Sequence, residues 1–496
     1  MPERRSKVSV LLLSGVLFCA SAALARQSAP GSPAKSAKQV APNDPDTHLA
    51  MARALAAKAK LPEATAELRR AVSLAPQRAD LHDALGTLLV RQNEFVAAAG
   101  EFEEALRLDP NLASAHLRLG VLQFEQRQFA AAEQHLAKAH QLEPRHFLTL
   151  NYLGRTLTEA GKLPDAIRAF RSSLELQPDQ PDILSLLGQS LQRAGDPVQA
   201  AEVFRKILAR QPNNAEARND LGLALLQSGD GDGAIAAFRA ALELRPRDPG
   251  YQANLGAAYL QKSDFAAAVA TFREALGQAP ANQTLRYNLG LALKLQDKLP
   301  EAVEELRTAE ALDAHQPDPP YTLGVTLWQM GDLDHAAVEL RKAIAAKPDY
   351  AEAYYTLGTV LKQQSKFPES AEALREAIRL EPDFAGAHTT LAGVLRQLGD
   401  EDAANREAKL GAQLARQKTD LQAALFATNS GRRLRNQGDL DGAVAQFRAA
   451  IRSVPDYAPA HFELAMALDQ AGKKEEAAAE FQRASALDPK LVRPRP

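Results

Sequence analysis

The side chains in this sequence that could do chemistry are its ten histidines, a short acidic segment and one cysteine. His135, His140 and His146 follow one another at spacings of five and six residues. Two metal ligands on one face of a helix need a spacing of three or four. The segment 230–233 (DGDG) resembles the start of a calcium loop, but the remaining ligands and the terminal glutamate are missing. These patterns predict no metal site.

Patterns typical of enzymes are missing as well. The sequence has neither a glycine-rich phosphate loop after a strand nor a serine nucleophile elbow. Its single cysteine, Cys19, lies near the N-terminus, so no thiol nucleophile, Cys-ligated zinc site or disulfide is expected downstream. The 59 basic and 61 acidic residues give a net charge of −2, without the basic excess of a nucleic-acid-binding protein. We therefore predict a non-enzymatic protein with no cofactor and no nucleic-acid partner.

The N-terminus has the pattern of an export signal. Three basic residues among the first seven precede an apolar stretch at 8–18, and an A-x-A site follows at 23–25. This layout predicts a secretory signal peptide over 1–25, a flexible linker over 26–44, and a periplasmic or secreted protein with no membrane span after signal removal. The uncharged run 8–25 is also long enough to act as an uncleaved inner-membrane anchor, which stays an alternative.

A repeat of 34 residues organises the rest of the chain. Prolines keep this period, as do a Leu-Gly pair, first seen at Leu85-Gly86, and an alanine twelve residues after that glycine. The periodic prolines are Pro76, Pro110, Pro144, Pro178, Pro212, Pro246, Pro280, Pro348, Pro382, Pro455 and Pro489. Within a unit, apolar residues at spacings of three and four predict two amphipathic helices. Proline cannot continue the second helix and so separates the units.

These features resemble the tetratricopeptide repeat family. The resemblance rests on the Leu-Gly pair, the alanine, the proline and a phenylalanine in the second helix. The phenylalanines are Phe102, Phe170, Phe204, Phe238 and Phe272. The resemblance implies an all-α fold, a right-handed α-solenoid (superhelix) of about thirteen 34-residue helix-turn-helix repeats. It also implies a packing role for the histidines at the fourth residue of a repeat, namely His48, His82, His116, His388 and His461.

The eleventh repeat departs from the pattern. It has Arg416 where proline is usual and contains five extra residues, and the segment 401–426 has no proline and only one glycine. We therefore expect a lengthened helix and a bend at this place. The predicted organisation is an array of eleven units over 45–418, a C-terminal pair of units over 419–491 and a tail over 492–496.

Function in this family is expected on the concave face, which the first helix of each repeat lines. The resemblance assigns the second, fifth, sixth, ninth, twelfth and thirteenth residues of a repeat to that face, which we call the first-helix face. Tyr287, Tyr321 and Tyr355 occupy the fifth residue of three consecutive repeats, where other repeats carry small residues, so packing is not expected to require them. Candidate neighbours on this face are Trp328, Lys294, Lys362, Arg396, Asn254 and Asn288.

Aromatic rings with cations and amides can hold an extended peptide, and the cations favour acidic side chains or a terminal carboxylate. The tyrosine row could equally be a relic of repeat duplication. A second, weaker candidate patch consists of Asn151, Arg155, Gln189, Gln192 and Asn219.

The sequence thus predicts a non-catalytic protein–protein interaction scaffold or adaptor in the bacterial cell envelope, which binds extended peptide segments. One alternative is a carbohydrate-handling accessory, or a targeting subunit for a glycosyltransferase-like partner, because aromatic and amide ladders also stack on sugars. Homo-oligomerisation through the polar last helix and the altered eleventh repeat is a further alternative.

Overall fold

The computed structural model describes residues 44–492, which form 25 α-helices and no strand. Eleven of them are the first helices of repeats one to eleven: α1 (Pro45–Ala57), α3 (Ala79–Arg91), α5 (Ala113–Glu125), α7 (Phe147–Glu159), α9 (Pro181–Arg193), α11 (Ala215–Gln227), α13 (Pro249–Gln261), α15 (Gln283–Leu295), α17 (Asp318–Gln329), α19 (Ala351–Gln363) and α21 (Ala385–Gln397). Ten are the second helices of repeats one to ten: α2 (Leu61–Leu74), α4 (Phe95–Leu108), α6 (Phe129–Leu142), α8 (Leu163–Leu176), α10 (Pro197–Arg210), α12 (Gly231–Leu244), α14 (Phe265–Gln278), α16 (Leu299–Leu312), α18 (Leu333–Ala346) and α20 (Phe367–Leu380). The chain ends with α22 (Glu401–Asn436), α23 (Leu440–Ser453), α24 (Ala458–Gln470) and α25 (Lys474–Leu487). The predicted all-α solenoid of helix pairs is confirmed.

The described helices form two compact units, one ending at Asp264 and the other beginning at Phe265. The predicted signal peptide, the linker up to residue 43 and the tail beyond residue 492 lie outside the described residues. No helix among residues 44–492 is both long enough and apolar enough to cross a membrane.

The lengthened helix expected in the eleventh repeat is present. α22 runs without a break for 36 residues, so it serves as the second helix of repeat eleven and as the first helix of repeat twelve. Its N-terminal half packs on α21, where a Cβ at Gly411 would lie 2.6 Å from Thr389 Oγ1, and its C-terminal half packs on α23 through Gly431 and Phe447. The predicted boundary between residues 418 and 419 falls inside this helix, and the division into an array and a C-terminal pair stays a prediction.

Within each unit, close crossings of two helices form the cores of the repeats. In repeat six, a Cβ at Gly222 would lie 2.5 Å from the ring of Phe238, which is completely buried. In repeat eight, Gly290 faces the side chain of Leu306 in the same way, at 2.7 Å. The periodic glycine therefore marks the point where the second helix leaves no room for a side chain on the first.

The recurrent histidines tie the first helix to its surroundings, in line with the predicted packing role. The His82 ring has Nδ1 at 2.7 Å from the Glu101 carboxylate on the second helix, and Nε2 at 3.1 Å from the backbone carbonyl oxygen of Pro76 in the preceding turn. His461 makes the two equivalent contacts at 2.6 and 2.8 Å. Arg286 occupies the same position in repeat eight, where its guanidinium also donates to a carboxylate and to a proline carbonyl. We call this arrangement the fourth-residue clamp.

Replacing His461 by leucine should lower the free energy of unfolding by about 1–3 kcal/mol, because it leaves the Glu480 carboxylate and the Pro455 carbonyl without their partner. Urea denaturation of the variant and the wild type measures the difference. His315→Leu is the matched control, since His315 is exposed and should change stability by less than about 0.5 kcal/mol. Equal effects of the two substitutions would contradict the clamp.

Candidate functional site

The three tyrosines of the predicted binding face lie at equivalent points of α15, α17 and α19, within the second unit. All three are half-buried. The Tyr287 hydroxyl lies 3.4 Å from the Thr322 hydroxyl of the next repeat. Tyr287 and Tyr321 pack against a core that includes Leu323. The expectation that packing does not require these rings is therefore wrong, because each ring covers buried apolar side chains of its own unit.

Two further aromatic residues support the row. The ring of Tyr321 packs on Tyr350 at a tilt of 38° with 4.9 Å between centroids, and that of Tyr355 packs on Phe384 at a tilt of 43° with 4.7 Å between centroids. Tyr350 and Phe384 are the residues immediately before α19 and α21. The sequence analysis missed both, although the signal was present: each follows its tyrosine by the same 29 residues.

The hydroxyl groups in this row sit in a partly desolvated, acidic environment. The Tyr350 hydroxyl donates to Asp318 Oδ1 over a long 3.5 Å. Burial, together with the charge of Asp318, raises the pKa of Tyr350 above its ordinary value, and burial likewise raises the pKa of Tyr287. The hydroxyls of Tyr350 and Tyr287 therefore stay protonated at neutral pH and can donate hydrogen bonds.

The predicted cations have no acidic partners of their own. Neither Lys294, Lys362 nor Arg396 forms an ion pair with a described residue. Lys294 is half-buried, and the loss of solvent lowers the pKa of its amine. The Lys362 amine lies 3.3 Å from the place where a Cβ of Gly393 would stand, so it extends over a bare stretch of α21. These three side chains are available to carboxylates from outside the chain.

The remaining predicted residues divide between the two units. Trp328 is half-buried, and its Nε1 donates to Gln363 Oε1 at 2.8 Å, which fixes the indole against the next repeat. Asn288 is half-buried in the second unit. Asn254 belongs to the first unit, where its Nδ2 donates to Asn219 Oδ1 at 2.8 Å.

Part of the weaker predicted patch gathers around a residue that the sequence analysis missed. Asp220 is buried on α11, with Gln189 Nε2 at 3.3 Å and Asn219 Nδ2 at 3.5 Å from its carboxylate. Arg155 has its guanidinium over the rings of Phe124 and Tyr152 at 4.7 and 4.9 Å. Asp220 is the centre of the part that Gln189 and Asn219 form, and the patch as a whole stays a prediction.

The segment that resembled a calcium loop is a helix cap. Asp230 precedes α12, and its Oδ1 accepts a hydrogen bond from the backbone N–H of Gly233 at 2.9 Å, as N-cap carboxylates commonly do. Within residues 44–492, no group of three or more His, Cys, Asp or Glu side chains is arranged to hold a metal ion.

Several solved structures are similar to this chain. MamA is 25% identical, with 33% of this chain and 96% of that chain covered and a TM-score of 0.32. YrrB, described as a TPR protein with an unusual peptide-binding site, is 21% identical, with 38% and 96% covered and a TM-score of 0.34. A tetratricopeptide repeat protein from Parabacteroides merdae is 18% identical, with 50% and 98% covered and a TM-score of 0.41. No curated protein matches the sequence significantly.

Family models match along nearly the whole described chain. One tetratricopeptide repeat model matches residues 49–113, 84–144, 185–249, 254–317, 355–417 and 428–491, which together exceed half of the sequence. A second tetratricopeptide repeat model matches 123–190, and a TPR repeat model matches 329–365. The matches agree with the helix pairs and with the glycine crossings that the structure shows. The chain belongs to the tetratricopeptide repeat family.

Proposed function

We propose that this protein is a non-catalytic scaffold of the bacterial cell envelope that binds extended, acidic peptide segments on the first-helix face of its second unit. Tetratricopeptide repeats bind other proteins, which makes the chain a protein-interaction scaffold. The observation that carries the finer proposal is a row of half-buried tyrosines on α15, α17 and α19, together with three cations of the same face that have no acidic partner among residues 44–492.

The distribution of charge along the helices indicates toward which helix ends the carboxylates of a bound segment are drawn. Asp318 and Glu352 stand in the first turns of α17 and α19, whereas Lys294, Lys362 and Arg396 stand in the last turns of α15, α19 and α21. Carboxylates of a partner are therefore attracted toward the C-terminal ends of these helices and repelled from the N-terminal ends. The tyrosine rings lie between the two, where they can stack on side chains and donate hydrogen bonds to a peptide backbone.

The envelope location rests on the export pattern at the N-terminus. We expect the mature protein to be released by osmotic shock and to begin near Arg26, which follows the A-x-A site. N-terminal sequencing of the released protein checks this. Recovery of Met1 from a membrane fraction would contradict the cleaved form and favour the inner-membrane anchor.

A photo-crosslinking residue can map the binding face in cells. Placed at Val325, the half-buried ninth residue of repeat nine, it should capture proteins in the envelope fraction. Placed at Val338, which is 47% exposed on the second helix of the same repeat, it should capture far less. A nine-residue peptide rich in glutamate should compete with capture at position 325. Equal capture at both positions, or no competition, would contradict the proposal, and capture of glycan alone would favour the carbohydrate-handling alternative.

A further inference from the structure

We propose that the first unit carries a second recognition site, at Asp220, which receives an arginine side chain of a partner segment. The site consists of Asp220 with the amides of Gln189, Asn219 and Asn254. It shares with the proposed function only the premise that first-helix faces bind partners, because it lies in the other compact unit and takes the opposite charge.

Asp220 is a buried carboxylate without a counter-ion. The residue is 8% exposed, and no Lys, Arg or His among the described residues comes within ion-pair distance of it. Within the described part of the chain, its only side-chain polar contacts are the two long ones to Gln189 and Asn219, at 3.3 and 3.5 Å. Glu216, one turn earlier on α11, adds a second negative charge. Burial first, and then Glu216, raise the pKa of Asp220, as expected for a carboxylate that lacks a cation.

Asp83 shows what a neutralised carboxylate looks like on the same face of the same unit. It is equally buried, at 8% exposure, but the Arg118 guanidinium of the next repeat donates to its Oδ2. The Ser114 hydroxyl donates to the same oxygen at 2.8 Å. A guanidinium and a carboxylate can thus pair at buried positions of this face, and the fold itself supplies the cation at Asp83.

A regular contact between neighbouring repeats explains why Asp220 has no such partner. The fifth residue of one repeat meets the sixth residue of the next, as in Asp83 with Arg118 and Asn219 with Asn254. Asp220 is a sixth residue, and the fifth residue of the preceding repeat is Ser185. This short side chain makes no hydrogen bond to Asp220. At the Asp83–Arg118 contact each of the two repeats supplies a charged side chain. At the equivalent contact of Asp220 only one repeat does.

The surrounding amides prepare the carboxylate for a guanidinium. Asn254 holds Asn219 through a 2.8 Å hydrogen bond, and Asn219 in turn points its Nδ2 at Asp220 Oδ1. The second oxygen is covered only by Gln189, which is exposed and makes one weak contact. An arriving guanidinium can displace this amide and donate two hydrogen bonds to the carboxylate, a geometry that arginine provides and a neutral side chain does not.

The test uses two nine-residue peptides of glycine and serine with one central residue, which is arginine in one and its neutral isostere citrulline in the other. NMR titration of the full protein should show the arginine peptide binding at least tenfold more tightly. In Asp220→Asn this preference should disappear, while the melting temperature does not fall because no ion pair is lost. In the matched control Asp83→Asn the preference should stay, while the melting temperature falls because Arg118 loses its carboxylate.

Equal binding of the two peptides to the wild type would overturn the inference. So would an Asp220→Asn variant that keeps the preference but melts lower, because Asp220 would then be a structural residue. The glutamate-rich peptide and the double variant Lys294→Glu, Lys362→Glu separate this site from the proposed function. The double variant should lose the acidic peptide and keep the arginine peptide, and Asp220→Asn should do the reverse. If the glutamate-rich peptide does not bind but the arginine peptide does, the proposed function is refuted and the inferred arginine site is not.

Discussion

Replacing Phe238 by alanine should lower the free energy of unfolding of the sixth repeat by about 3–5 kcal/mol, the usual effect of removing a buried aromatic ring. Phe238 is completely buried, and its ring fills the space above Gly222. Loss of the ring leaves a cavity whose opposite wall is the backbone of Gly222. This residue has no side chain that could fill the cavity. The gap therefore cannot close by a rotamer change of the residue that faces it.

Hydrogen exchange in the native state measures how far this effect spreads. In a linear array each repeat contacts its neighbours, so protection should fall in repeats five and six and in α13, and should persist in repeats one to three of the same unit. Val198→Ala is the matched control, because Val198 is 61% exposed on the neighbouring α10 and should change stability by less than about 0.5 kcal/mol. Uniform loss of protection throughout the first unit would contradict a linear array.

Replacing Tyr287, Tyr321 and Tyr355 together by alanine should weaken binding of the glutamate-rich peptide between tenfold and several thousandfold. The range follows from about 1–2 kcal/mol for each anchoring ring, with the upper end reached only if the three effects add. Calorimetric titration of the variant and the wild type measures the loss. A retained affinity would leave the tyrosine row with its packing role alone and would contradict the proposed binding face.

The same variant should also melt at a lower temperature, because Tyr321 and Tyr355 pack on Tyr350 and Phe384 and all three rings cover the core of their unit. Ile344→Ala separates the two effects. Ile344 packs against the core that Tyr287 and Tyr321 cover, but it lies on the second helix α18. It should lower the melting temperature and leave affinity unchanged. A loss of affinity as large in Ile344→Ala as in the triple variant would show that binding responds to stability alone.

The sequence predicts the fold well because the fold repeats. A glycine crossing or a proline break has the same physical cause in each unit, so its period is visible without any structure. Contacts between repeats are harder to see. Trp328 with Gln363 and Asp83 with Arg118 join two different columns at a separation of 35 residues, and the residue types in these columns change from repeat to repeat. The sequence analysis missed Asp220 for this reason. Asp220 stands out only because the preceding repeat provides no cationic side chain to pair with it.

The unbroken α22 has a consequence for how the chain unfolds in parts. In an array of separate helical hairpins, the boundary between folded and unfolded segments can lie in any loop, because a boundary there interrupts no helix. Between repeats eleven and twelve no loop exists, and a border there would have to cross a continuous helical hydrogen-bond ladder. Fraying from the C-terminal end should therefore either stop before α22 or pass through it into repeat eleven, so these two repeats melt as one cooperative block.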